Sequence, residues 1–180
     1  MSRIFKSHDR YWNGIAVYGD YLPWGVHRAA GGDRSNYPER SGKMLDLKEG
    51  KDAGVAYFSE AIATELKDEI VIATVPSHNP AKPGVGLKKL VAELVKDSKR
   101  VDASGSLVRT QKIDKLAAGG NRSKDVHLKS VSVALAPLIK GRDVLLLDDV
   151  TKTGNSLLAC RDLLLAAGAR SVECATIGKT

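Results

Sequence analysis

The sequence is poor in cysteine, in long apolar runs and, over its C-terminal two thirds, in aromatic residues. Its two cysteines, Cys160 and Cys174, are too few for a disulfide framework and lack the spacing of metal ligands. We expect both to be buried thiols in a reducing compartment. No apolar run approaches membrane-spanning length, and the first ten residues lack the apolar segment of a signal peptide. These absences predict a cytoplasmic protein with no membrane partner.

Two common nucleotide-binding motifs are also missing. No Walker-type Gly-Lys-Ser sequence occurs in the chain. The Gly84-Val-Gly86 segment lacks the third glycine and the preceding strand of a dinucleotide fingerprint. The sequence therefore gives no support to a P-loop enzyme or to a dinucleotide-binding domain.

Aromatic residues and charge are both unevenly distributed. All nine aromatic residues precede residue 60, and we divide the chain into a loop-rich segment, residues 1–50, and a core, residues 51–180. The aromatic rings of the first segment either stack on a ligand or pack on the core. Residues 77–129 contain 12 Lys and Arg against 5 Asp and Glu, whereas the rest has 16 of each. This excess predicts a polyanionic ligand, either a diphosphate or a nucleic acid.

Apolar patterns alternate between helix and strand along the core. Helical spacing predicts helices over residues 52–66 and 87–96, and a third that begins after residue 156 and ends near Gly168. Strand patterns cover residues 69–75, 101–108, 130–135, 144–147 and 171–177. This alternation predicts an α/β fold with a mostly parallel central sheet flanked by helices. Ligands bind such sheets at the carboxyl ends of the strands.

Residues 144–156, Val-Leu-Leu-Leu-Asp-Asp-Val-Thr-Lys-Thr-Gly-Asn-Ser, form the most informative stretch. An apolar strand is followed by Asp148 and Asp149, then by a small-residue loop, and then by a helix. Gly154 permits close backbone approach, and the helix start supplies unpaired N–H groups, so the loop can bind a phosphate. The carboxylates repel phosphate but accept hydrogen bonds from sugar hydroxyls. The stretch predicts a site for a phosphorylated sugar; the alternative is an ordinary turn with incidental aspartates.

At these residues the sequence resembles the type I phosphoribosyltransferase family. The family signature is an apolar strand, two acids, an apolar residue, Thr or Ser, any residue, and Thr-Gly-x-Thr/Ser, and every position matches. The resemblance implies binding of phosphoribosyl pyrophosphate (PRPP). It makes Asp148 and Asp149 ribose contacts in the catalytic site. It assigns the 5′-phosphate to Thr151, Lys152, Thr153, Gly154, Asn155 and Ser156.

The resemblance also implies the partners of the site. Residues 1–50 would form a variable hood over it, and the protein would be a homodimer. Mg²⁺ would be bound mainly by PRPP, pyrophosphate and water, with no dedicated metal site in the protein. The reaction would transfer the phosphoribosyl group to a nucleobase-like or amine acceptor and release pyrophosphate. The alternative is a non-catalytic accessory protein of the same fold that binds PRPP, a nucleotide or a nucleic acid.

Two further segments align with the family by position. The loop after the first core strand would hold pyrophosphate, which makes Ser77 and His78 ligand contacts, although a histidine between prolines is also typical of a turn. Residues 107–129 are polar and basic, with a Gly119-Gly120 hinge, and would close over the pyrophosphate. Arg109 and Lys112 at the base of this loop would reach the leaving group; the alternative is a solvated surface loop.

Within the family, the sequence looks most like the ComF-type subgroup. Arg109-Thr, Asn121-Arg122 and the residues from 143 onward carry this similarity. Two features depart from the subgroup: the chain lacks a four-cysteine zinc module, and Lys82-Pro-Gly-Val-Gly-Leu replaces the usual Arg-Gly-Phe-Asn-Gln segment. A competence-type role is therefore not predicted.

Overall fold

A computed structural model describes residues 2–81, 84–113 and 123–180 of the chain. The strands are β1 (Tyr11–Trp12), β2 (Ile15–Val17), β3 (Val71–Thr74), β4 (Val101–Asp102), β5 (Leu107–Arg109), β6 (Val131–Val133), β7 (Asp143–Thr151) and β8 (Ser171–Lys179). The helices are α1 (Trp24–Ala29), α2 (Glu39–Lys48), α3 (Asp52–Glu65), α4 (Val85–Val95), α5 (Lys124–Ser130), α6 (Ala136–Ile139) and α7 (Asn155–Ala166). None of the helices in these ranges is long and apolar enough to cross a membrane.

A six-stranded sheet forms the centre of the fold. Its strand order is β1-β2-β8-β7-β3-β4, and every pair except β1-β2 is parallel. A separate antiparallel pair, β5-β6, lies outside this sheet. The predicted α/β class and mostly parallel sheet are therefore confirmed.

Apolar residues are packed on both faces of the central sheet. Along β7, Leu145 and Leu147 enter the core cluster that contains α3 and α4, whereas Val144 and Leu146 enter the cluster that contains α7. Successive strand residues point to opposite faces, so a strand covered on both sides must be apolar throughout. This explains the uninterrupted run of residues 144–147. Cys160 and Cys174 are buried free thiols, as predicted.

The N-terminal segment is more ordered than the sequence predicts. Residues 1–50 were expected to be loop-rich, but they contain two strands and two helices. All three residues of β2 are buried, and they pair with β8. Pro23 and Pro38, which suggest breaks in regular structure, immediately precede α1 and α2. Proline disrupts the interior of a helix but is compatible with its start, which accounts for the error.

Two other predicted elements also have different bounds. The strand predicted over residues 101–108 is split: β4 pairs with β3, whereas β5 pairs with β6 in the small sheet. The strand predicted over residues 144–147 extends to Thr151, because β8 continues alongside it as far as Lys179. The two aspartates therefore lie within β7 rather than just beyond its end.

Close helix packing fixes the position of α2. A Cβ atom added to Gly54 of α3 would lie 2.3 Å from the backbone nitrogen of Leu47, and one added to Gly86 of α4 would lie 1.7 Å from the Leu47 carbonyl oxygen. Both neighbours are backbone atoms, so only glycine permits these approaches. The C-terminal end of α2 is thus held between α3 and α4, at the edge of the cavity described next.

Candidate functional site

A cavity of ≈340 Å³ lies at the carboxyl ends of β3 and β7. These neighbouring strands form a topological switch point, since α4 leads from β3 to β4 on one side and α7 leads from β7 to β8 on the other. Ligands of parallel α/β folds bind at such points. The cavity brings together six predicted site residues: Ser77, His78, Arg109, Asp148, Asp149 and Ser156.

The acidic wall of the cavity consists of Asp148 and Asp149. Asp148 is 8% exposed, and its Oδ1 accepts a 2.9 Å hydrogen bond from the backbone N–H of Asp149. Burial raises the pKa of Asp148 well above its usual value, and the neighbouring carboxylate of Asp149 raises it further. A bound cation or hydroxyl donor would offset this penalty on the charged form of Asp148.

Lys48 is a site residue that the sequence analysis missed. Its Nζ lies 3.8 Å from Oδ2 of Asp149 and 4.8 Å from the centre of the Tyr21 ring. Both Lys48 and Leu47 line the cavity, so the end of α2 forms part of its wall. No local motif marks Lys48, because its position depends on the packing of α2 against Gly54 and Gly86.

The motif loop lies beside the cavity. Thr151 is buried, and its Oγ1 accepts a 3.0 Å hydrogen bond from the backbone N–H of Gly154. Gly154 has a φ of 76°, and a Cβ there would lie 2.8 Å from Ile15 Cδ1, so glycine is needed for both conformation and space. Lys152 and Thr153 are exposed.

The first turn of α7 follows directly. Asn155 and Ser156 begin the helix, where the backbone N–H groups have no intrahelical acceptor. Of the motif-loop residues, all of which the structure describes, Ser156 lines the cavity and residues 151–155 lie beside it. The N-terminus of α7 therefore offers N–H donors next to the acidic wall, which is the arrangement that a sugar phosphate needs.

An aromatic residue and a cation flank this loop. Atom Cζ3 of Trp12 would lie 3.4 Å from a Cβ at Gly154, and Lys179 Nζ lies 4.8 Å from the centre of the Trp12 ring. Lys179 is also the register partner of Thr151. β1 thus places an aromatic ring near the loop and the end of β8 places a positive charge there, which no sequence pattern indicated.

A second part of the cavity wall is built around Arg109, which is 5% exposed. Its Nε and Nη2 donate hydrogen bonds to the backbone oxygens of Ser77 (3.1 Å) and Pro76 (3.3 Å), and its Nη1 donates to Ser130 Oγ (2.6 Å). The guanidinium therefore holds the loop after β3 in place. Burial lowers the pKa of Arg109, and the nearby Asp148 carboxyl opposes this shift.

The remaining predicted residues lie near this wall or outside the described ranges. The backbone N–H of Ile113 donates a 3.1 Å hydrogen bond to His78 O, which ties the base of the basic loop to the loop after β3. Lys112 is exposed and lies outside the cavity lining, whereas Ile113 contributes to it. The predicted Gly119-Gly120 hinge, Asn121, Arg122 and Lys82 lie outside the described residues.

His127 was not predicted as a site residue, yet it lines the cavity. It lies on α5, is 2% exposed, and neither ring nitrogen has a hydrogen-bond partner among the described residues. The ranges 2–81, 84–113 and 123–180 contain no group of three or more His, Cys, Asp or Glu placed to hold a metal ion.

Comparisons with known proteins identify a family and several similar solved structures. The family model described as phosphoribosyl transferase domain matches residues 52–179, and no curated protein sequence matches the chain. A hypoxanthine phosphoribosyltransferase structure from Staphylococcus aureus shares 16% identity at a TM-score of 0.38 and covers 76% of this chain. This match spans only 62% of the S. aureus chain.

A second solved structure shows a similar level of likeness. The purine phosphoribosyltransferase from Pyrococcus horikoshii Ot3 shares 14% identity at a TM-score of 0.38, with 90% of this chain and 88% of that chain covered. Similarity to the ComF-type subgroup stays a prediction. Because the family model covers the sheet from β3 to β8 together with the motif loop, the chain belongs to the phosphoribosyl transferase domain family.

Proposed function

We propose that the protein catalyses PRPP-dependent transfer of a phosphoribosyl group to a nucleobase-like or amine acceptor, with release of pyrophosphate. The observation that carries this proposal is the polarity of the cavity. Asp148 and Asp149 form one wall, whereas Arg109 and the loop of Pro76 and Ser77 form the other. A sugar with a diphosphate on its anomeric carbon matches this change of polarity.

Each wall has a distinct task in this reaction. The N–H groups at the start of α7 bind the 5′-phosphate, and the Asp148 and Asp149 carboxylates accept hydrogen bonds from the ribose hydroxyls. The carboxylates also favour the positive charge that develops on the sugar as the bond to diphosphate breaks. Arg109, held rigidly by three acceptors, stabilises the departing diphosphate without reorganising.

The acidic wall suits a Mg²⁺ ion that binds together with the substrate. Carboxylate oxygens are the ligands that Mg²⁺ prefers, and the only cation that forms a salt bridge with this pair, among the described residues, is Lys48 at 3.8 Å from Asp149. Asp148 and Asp149 would hold the ion together with PRPP oxygens and water. When bound, Mg²⁺ would neutralise charge on the diphosphate.

The test compares Asp148→Asn and Asp149→Asn with the wild type. Pyrophosphate release is measured with PRPP, Mg²⁺ and a panel of nucleobases and amines, and thermal unfolding is followed with and without PRPP. Each variant should lose activity by about 10- to 100-fold or more, since hydrogen bonds to charged groups contribute roughly 1.5–3 kcal/mol. Asp148→Asn should also keep its fold, because it removes a buried charge.

Asp97→Asn is the matched control. Asp97 is exposed on the turn after α4 with a φ of 52°, a conformation that Asn also adopts. It should retain wild-type activity and wild-type PRPP protection. Full activity in Asp148→Asn and Asp149→Asn, or no effect of PRPP on unfolding of the wild type, would contradict the proposal.

The nucleic-acid alternative has less support from the charge distribution. Within the basic stretch of residues 77–129, Lys89 pairs with Asp52, Lys99 pairs with Glu69, and Arg109 is buried. These cations do not form an open surface stripe. Tight oligonucleotide binding with a steep dependence on salt would nevertheless favour an accessory role over the enzyme.

A further inference from the structure

The cavity wall formed by α5 contains a buried imidazole with no assigned partner. His127 is 2% exposed, and both of its ring nitrogens lack a hydrogen bond within the described ranges. Buried polar groups are nearly always paired, and an exception calls for an explanation such as a ligand. His127 lines the same cavity as Ser77, His78 and Arg109.

The surroundings of His127 are rigid. Ser130 Oγ receives a hydrogen bond from Arg109 Nη1 and donates one of 2.6 Å to Val126 O, which ties α5 to the loop after β3. The imidazole takes no part in this network. A hydrogen bond from the imidazole to a bound group would therefore break no existing hydrogen bond.

The local charge identifies the chemistry of that group. Arg109 is buried and forms no salt bridge within the described residues. Burial lowers the pKa of His127, and the positive charge of Arg109 lowers it further, so the charged form of the imidazole is disfavoured. An anion placed between the two side chains would pair with Arg109 and favour the charged imidazole.

We infer that His127 binds the diphosphate of the bound substrate or product and takes up a proton when it does so. This inference rests on the proposed function and adds a specific residue to it. One ring nitrogen donates a hydrogen bond to a phosphoryl oxygen, and the other takes up the proton from solvent. Diphosphate would therefore bind more tightly as the pH falls through neutrality, until its own oxygens become protonated.

Several other groups near α5 can carry charge, and the experiment must separate them from His127. On the elements around it they are Arg109 on β5, Asp148 on β7, His78 after β3, and Cys160, Arg161 and Asp162 on α7, while α5 itself carries Lys124, Asp125 and Lys129. Asp162 is already paired with Lys124. All of these groups remain in a His127 variant, so a difference between wild type and variant belongs to His127.

The test is calorimetric titration of inorganic pyrophosphate with Mg²⁺ at pH 7, in two buffers of different ionisation enthalpy. The difference in heat gives the number of protons taken up. Wild type should take up more protons than His127→Gln, by a fraction of one proton per site. His127→Gln keeps an N–H donor but cannot titrate. It should therefore bind pyrophosphate with nearly wild-type affinity at pH 8, but it should lack the rise in affinity that the wild type shows at pH 6.

His127→Phe removes both the donor and the proton site, and it should weaken diphosphate binding by about 10-fold or more. Its midpoint of urea unfolding should equal or exceed that of the wild type, because an unpaired polar group leaves the interior; a merely structural histidine would give a lower midpoint. Equal affinity and equal proton uptake in all three proteins would overturn the inference while leaving the proposed function intact. Absence of both PRPP and pyrophosphate binding to the wild type would overturn both.

Discussion

Three helix glycines provide a test in which the sequence and the structure predict opposite signs. Gly42 lies in α2, Gly54 in α3 and Gly86 in α4. Judged by helix propensity alone, each Gly→Ala substitution should stabilise the protein by roughly 0.5–1 kcal/mol, because alanine loses less backbone entropy on folding. The structure supports this expectation only for Gly42, where the nearest atom to an added Cβ is 4.0 Å away.

The magnitudes follow from the space around each glycine. At Gly86 the added Cβ would lie 1.7 Å from Leu47 O, whereas contacts under 3.0 Å essentially never occur, so α4 and α2 would have to separate by more than an ångström. At Gly54 the distance to Leu47 N is 2.3 Å. Overpacking against rigid neighbours costs roughly 1–3 kcal/mol and occasionally more. We expect Gly86→Ala to lower the free energy of unfolding the most and Gly54→Ala to lower it somewhat less. Gly42→Ala should raise it slightly.

The assay is urea unfolding of the three variants, followed by circular dichroism. The same proteins are titrated with PRPP and Mg²⁺, because displacement of α2 would move Lys48 away from Asp149. Gly86→Ala should therefore bind PRPP more weakly than Gly42→Ala under conditions in which both are folded. If all three substitutions stabilise the protein equally, the close packing of α2 against Gly54 and Gly86 is wrong.

Two further predictions concern single contacts. Thr151→Val should lose roughly 1–2 kcal/mol of unfolding free energy, because the N–H of Gly154 loses its acceptor, whereas Thr151→Ser should lose much less; urea unfolding measures both. Hydrogen bonds from Arg170 lower the pKa of Asp143 to about 2, so the pair stabilises the fold above pH 4 and this stabilisation is lost as the pH falls toward 2. In Asp143→Asn the unfolding free energy should fall less steeply between pH 4 and pH 2, and an unchanged slope would refute the assignment.

Much of the core follows directly from local patterns. An apolar run such as residues 144–147 is typical of a strand covered on both faces, and helical spacing of Leu157, Cys160 and Leu164 predicts the helix that covers it. Gly168 ends that helix region with a φ of 95°. These signals involve residues that are close in sequence, so they can be interpreted without knowledge of the fold. The two-residue strand β1 escaped prediction because so short a strand exists only through its pairing with β2.

The functional site likewise has one part that local sequence patterns predict and another part that they do not. The sequence by itself determined the acid pair, the glycine of the motif loop and the start of α7, because consecutive residues in one strand–loop–helix unit fix these positions. Only the tertiary structure decided that Lys48, Trp12, Lys179 and His127 lie around that unit. Each reaches it from another element of the fold, through helix packing or strand pairing. Such contacts depend on how layers pack in space, and no local pattern of residues encodes them.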